Sequence, residues 1–148
     1  RLNVVDAACG SRFYNFEKTK DGGTTWTEVN GDPFDQHMGV AEGLLFFTND
    51  FGFAGLTYAS EDFSMLYVTK DGGETFERLE LPLDTVTELP SEAEELGFTI
   101  EDYDYHTMPQ IVDGKMEIYL QTDAMEQQGI IFQSEDNGVT WEYAGCKE

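Results

Sequence analysis

Three related octapeptides constrain this chain more than any other feature: Thr19-Lys-Asp-Gly-Gly-Thr-Thr-Trp26, Thr69-Lys-Asp-Gly-Gly-Glu-Thr-Phe76 and Ser134-Glu-Asp-Asn-Gly-Val-Thr-Trp141. All fit one pattern, Ser/Thr-x-Asp-x-Gly-x-Thr-Trp/Phe. A single match in a chain this size is expected by chance roughly once in several thousand sequences, so three mark an internal repeat.

The residue types follow from the chemistry of a tight turn. Asp21, Asp71 and Asp136 can accept hydrogen bonds from backbone N–H groups later in their own turns, and Gly23, Gly73 and Gly138 can take positive φ without a Cβ penalty. Thr25, Thr75 and Thr140 then begin a return strand. Trp26, Phe76 and Trp141 supply a large ring to pack beneath the turn. Thr19, Thr69 and Ser134 open each repeat.

The pattern resembles the Asp-box, or BNR repeat, of sialidases, sortilin-type receptor propellers and photosystem II assembly-factor-like proteins. That resemblance implies a structural turn between the third and fourth strands of a four-stranded antiparallel blade. The expected fold is therefore all-β, an incomplete propeller of about three blades forming one repeat domain.

Strand signals divide the chain accordingly. Leu2–Ala8 and Ser11–Lys18 precede the first octapeptide, giving an incomplete blade over 1–30. Leu44–Thr48, Gly52–Tyr58, Ser64–Thr69 and Thr75–Leu81 make a blade over 37–82. His106–Val112, Lys115–Thr122, Gly129–Gln133 and Thr140–Ala144 make another over 104–145, with Asp113-Gly114 as a hairpin signal. Asp71 follows Asp21 by 50 positions and Asp136 follows Asp71 by 65, so the second interval carries an insertion, 83–103. Within it, Ser91 and Glu94 have capping-box spacing and Gly97 is a stop, predicting one or two helical turns.

Charge narrows the partners. Thirty acids against 8 bases give a net charge of −22, a field that repels phosphate backbones and anionic lipid, so neither nucleic acid nor membrane insertion is expected. Between Asp84 and Asp104 there are eight acids and no base. The acid reads as solvated surface, or as an attraction for cations or basic proteins. No cofactor is expected, although a structural calcium is compatible with so acidic a surface. Cys9 and Cys146 could pair, closing a loop worth about 5 kcal/mol; two free thiols are the alternative. No apolar run reaches the ~18 residues of a membrane span. Arg1 is not preceded by a signal segment, as expected for a processed or excised chain whose home is extracellular or on a bacterial cell surface.

The resemblance to sialidases implies an arginine cluster, a Tyr nucleophile paired with Glu and an Asp acid/base, yet the chain has only Arg1, Arg12 and Arg78. No catalytic residue is therefore assigned. The reading is a non-catalytic repeat domain that binds glycan or protein, with a sialidase-like glycoside hydrolase remnant and a protein-binding assembly scaffold as alternatives. A ligand site is expected on the loops away from the octapeptides, with His37, Glu61, Asp62, Tyr103, Tyr105 and Asp123 as candidates. Exposed apolar faces on the first and last sheets would call for further blades or self-association.

Overall fold

A computed structural model describes residues 1–58, 63–123 and 125–147. It is all-β, with three antiparallel sheets in chain order. Sheet one contains β1 (Leu2–Ala8), β2 (Ser11–Lys18) and β3 (Thr27–Asn30). Sheet two contains β4 (Val40–Phe46), β5 (Gly52–Thr57), β6 (Ser64–Thr69) and β7 (Glu77–Arg78). Sheet three contains β8 (Tyr105–His106), β9 (Gln110–Val112), β10 (Lys115–Gln121), β11 (Gly129–Ser134) and β12 (Glu142–Lys147). Each octapeptide joins the last two strands of its sheet.

Where elements differ from the sequence reading, local chemistry explains why. The segment 106–112 is two short strands on one edge of β10 rather than a single strand. Pro109 has no N–H to offer a ladder, and at the break the Thr107 hydroxyl accepts from Tyr119 N (3.0 Å) while Thr107 N donates to Tyr119 O (3.0 Å). The helix in the insertion, α1 (Ala93–Leu96), ends at Gly97 in the left-handed region (φ 74°), as expected, and Glu92 at its start makes no side-chain cap bond. A capping box forms at a 3₁₀ turn, where Asp102 accepts from both Thr99 N (2.7 Å) and the Thr99 hydroxyl (2.9 Å).

The chain falls into two compact units, residues 1–61 with 65–79, and 62–64 with 80–148. In the first, Arg12 and Gly39 exchange main-chain bonds (2.7 and 3.1 Å), and Ala41 N donates to the Tyr14 hydroxyl (2.9 Å). Its core is aromatic: Phe16 stacks on Phe46 (5.6 Å) and meets Phe76 edge-on, while Phe34 meets Tyr14 and Tyr67 edge-on. In the second, Met116, Ile118, Leu120, Ile130 and Phe132 are buried on one face of sheet three.

Two sheet faces are finished by polar ladders rather than apolar side chains. Across sheet one, Asn3 donates to Asn15 (3.0 Å) and Asn15 to Glu28. Across sheet three, Tyr119 (2.8 Å) and Gln133 both donate to the buried carboxylate of Glu117. Buried polar groups are tolerated where they are paired, as these are. Among the described residues no helix is long and apolar enough to cross a membrane.

Candidate functional site

The three octapeptide turns share one hydrogen-bond plan. The opening hydroxyl of Thr19, Thr69 or Ser134 donates to the turn aspartate (2.8 Å in each) and accepts from the N–H of Gly23, Gly73 or Gly138 (2.7–2.8 Å). The same aspartate accepts from the N–H (2.8–2.9 Å) and the hydroxyl (2.6 Å in each) of Thr25, Thr75 or Thr140. In the first turn, Trp26 Nε1 also donates to Gly23 O (3.0 Å). One positional demand was missed from sequence: the residue after the aspartate is left-handed as well, at Gly22, Gly72 and Asn137 (φ 72°, 75° and 60°). The types at that position, two Gly and one Asn, were the available signal.

These bonds set the turns' acid response. Hydrogen bonds from the Thr25 hydroxyl and amide and from Thr19 hold Asp21 at about 2, and Thr140 and Ser134 do the same for Asp136. At Asp71 partial burial pushes upward, but the bonds from Thr75 and Thr69 outweigh it and the result is again about 2. Each carboxylate titrates below its unfolded value, so the stability it contributes is complete above about pH 4 and lost as pH falls toward 2. Acidification also relieves the self-repulsion of a chain carrying −22. Stability is therefore expected to rise from pH 7 to about pH 4.5 and to fall steeply between about pH 4 and 2. Urea titrations across this range check it, a monotonic rise down to pH 2 being the contrary result. Asp71→Ala should cost about 1–2 kcal/mol at pH 7, the low end for charged hydrogen bonds because the carboxylate is solvent-exposed.

Among the described residues, the sequence candidates each have a local role, His37 in the first unit and Tyr103, Tyr105 and Asp123 in the second. His37 is half-buried, with Nδ1 2.9 Å from Phe34 O and 3.1 Å from the Tyr67 hydroxyl. Burial pushes the Tyr67 phenol up to about 12, so it remains a hydrogen-bond donor. The loop before His37 is a core element: Pro33 and Phe34 are buried, with Asp32 accepting from Gln36 N (2.8 and 2.9 Å). Tyr103 is only 4% exposed and packs edge-on against Phe98. Tyr105 pairs with Gln121 in sheet three. Asp123 accepts from Met125 N (2.6 Å) and Glu126 N (2.9 Å), a turn former. Glu61 and Asp62 lie outside the described residues. The nearby His106 is held by Ser64, whose hydroxyl accepts from His106 N (2.6 Å).

Neither Cys9 nor Cys146 is in a disulfide. Cys9 is exposed in the hairpin between β1 and β2, while Cys146 Sγ donates to Glu88 O (3.3 Å), so its sulfur is engaged locally.

The first unit holds a groove that the sequence reading missed, and it lies at the first octapeptide rather than away from it, since Thr19, Lys20 and Trp26 line it. It is about 560 Å³ in volume and is lined by the half-buried Trp26, Leu44 and Phe46, by the buried Phe16 beneath them, and by Arg1, Glu17, Lys18 and Lys20. The Arg1 guanidinium sits 4.2 Å from the Trp26 ring centre and pairs with Glu17 (2.8 Å). Lys18 Nζ lies 5.9 Å from the Phe46 ring centre, and Lys20 is exposed. Three of the chain's eight bases thus converge on one aromatic surface. Such a surface suits a ligand with an apolar or stacking face and a negative group. A second cleft, beside the third turn, is lined by Lys115, Glu135, Asp136 and Glu142, but its lysine is already paired with Glu135 (2.6 Å).

No arginine cluster forms in the first unit. Arg1 sits opposite Glu17 and Arg12 lies five residues along β2, about 17 Å away by strand rise. Arg78 is opposite Tyr67 in β7. Among the described residues, no group of three or more His, Cys, Asp or Glu side chains is placed to hold a metal ion. No family model, curated protein or solved structure matches this chain.

Proposed function

We propose that this chain is a non-catalytic Asp-box β-repeat domain of an extracellular or cell-surface bacterial protein, its sheets serving as propeller-type blades, and that it binds an acidic glycan. The observation that carries the ligand class is the groove in which the partly exposed rings of Trp26 and Phe46 lie beside Arg1, Lys18 and Lys20. Sugar C–H faces rest on aromatic rings, and a carboxylate or sulfate answers the lysines. The turn aspartates are saturated by their own turns and act as scaffold. The ladders of Asn3–Asn15–Glu28 and Tyr119–Glu117–Gln133 put polar rows on two sheets, while Val4 and Val5 on the first sheet and Ile111 on the last stay exposed, which supports further blades or self-association as their cover.

Calorimetric titration with short uronate or sulfated oligosaccharides, against neutral ones of equal length, tests this. At an ionic strength that screens the chain's −22 net charge, acidic ligands should bind through the local bases, and Lys18→Glu with Lys20→Glu should abolish binding while the fold survives. Equal binding of neutral ligands, or none by acidic ones, would sink it.

One observation favours the glycosidase remnant: Tyr119 donates to Glu117 (2.8 Å), the residue pair that tyrosine-nucleophile chemistry uses. Burial, followed by the bond to Glu117, pushes this phenol up to about 12, which opposes ionisation. A Tyr-dependent hydrolysis of aryl glycosides would reinstate that reading.

A further inference from the structure

The insertion carries a second groove of opposite character. Leu83, Val86, Leu89, Phe98 and Ile100 line an open trough of about 380 Å³ in the second unit. Leu83 is 42% exposed, although it belongs to an ordered 3₁₀ turn in which the Thr85 hydroxyl donates to Pro82 O (2.7 Å). The trough is a built surface. Phe98 N donates to Ala93 O (2.8 Å), the Phe98 ring meets buried Tyr103, and Thr99 and Asp102 cap the turn that presents Ile100. Tyr143 of β12 donates to Glu88 O (3.2 Å), tying the segment to sheet three.

Glu88 lines the trough itself, and along the segment that builds it every formal charge is negative, with Asp84, Glu92, Glu94, Glu95, Glu101 and Asp102 and no Lys or Arg between Asp84 and Asp104. An apolar trough within a single-sign field selects both shape and charge. We propose that this trough docks a basic amphipathic segment of another protein, one or two apolar side chains entering between Leu83 and Phe98 while flanking Lys or Arg residues face the acids. Anionic lipid meets the same field as repulsion, and a hydrophilic polycation has nothing to place in the trough. The trough shares no lining residue with the groove of the first unit, and either proposal can fail without the other.

Fluorescence anisotropy with a labelled Lys/Leu amphipathic peptide tests the proposal, with a Lys/Ser peptide of equal charge and a Glu/Leu peptide as controls. The Lys/Leu peptide should bind about tenfold or more tighter than either, the increment expected from burying one or two leucines. Leu83→Ser, at an exposed position, should remove that advantage, and Glu94→Lys with Glu95→Lys should weaken binding while circular dichroism stays native. Equal binding by the Lys/Ser peptide would reduce the effect to general attraction by the net charge and overturn the proposal. So would an unchanged affinity in Leu83→Ser, or a preference for anionic vesicles.

Discussion

Gly73→Ala is expected to destabilise the first unit by about 4 kcal/mol, the sum of a left-handed backbone penalty and the cost of overpacking a filled core. Gly73 has φ +91°, and a Cβ there would lie 2.1 Å from Phe16 Cε1. Phe16 cannot retreat, because Phe46 stacks on it and Phe76 meets it edge-on. Neighbouring bonds also clamp the turn: Gly72 N donates to Asp50 O (2.8 Å) and the Asn30 amide donates to Glu74 O (3.0 Å). Gly22→Ala is the matched control, since φ is +72° but the new Cβ meets nothing within 4 Å; it should cost only about 1–2 kcal/mol. Urea unfolding followed through Trp26 fluorescence in a Trp141→Phe background measures both. Equal losses at the two positions would mean that Phe16 yields and the second turn is not locked.

Phe34→Ala should cost about 3–5 kcal/mol, the usual range for removing a buried aromatic ring. Phe34 is 1% exposed between Tyr14 and Tyr67, and its carbonyl accepts from the Tyr67 hydroxyl (3.1 Å) and His37 N (3.0 Å). Phe34→Leu, which keeps most of the volume, should cost under about 1.5 kcal/mol. A loss below about 1 kcal/mol for the alanine variant would return this loop to the pool of adaptable ligand-binding segments.

The sequence reading succeeded where the signal was local. β1, β2 and β6 start and end where apolar alternation and turn residues place them, and each turn aspartate is bonded within eight residues of chain. It failed where a single residue overrides the pattern. Pro109 splits a strand, and Val40 to Gly43 pair in β4 despite lacking a dense apolar run, because Gly43 meets Gly55 across the ladder. The groove was illegible for another reason. Phe16, Trp26 and Phe46 come from three separate elements, and nothing in sequence spacing shows that their rings line one open groove. Loop position alone misled as well: His37 and Tyr103 read as accessible, whereas their neighbours Phe34 and Phe98 fold them into packed clusters.

The left-handed Asn137 bears on the chemical ageing of the protein. Asn-Gly steps deamidate when the following amide nitrogen attacks the side-chain carbonyl and expels ammonia, and this chain has two, Asn30-Gly31 and Asn137-Gly138. At the second, the would-be nucleophile Gly138 N is held by donating to the Ser134 hydroxyl (2.7 Å). At the first, the asparagine amide is clamped at both ends, donating to Glu74 O and accepting from Asp32 N (2.7 Å). The bonds that shape the repeat thus slow its most vulnerable peptide steps while the chain is folded, and damage should accumulate first in molecules that have opened.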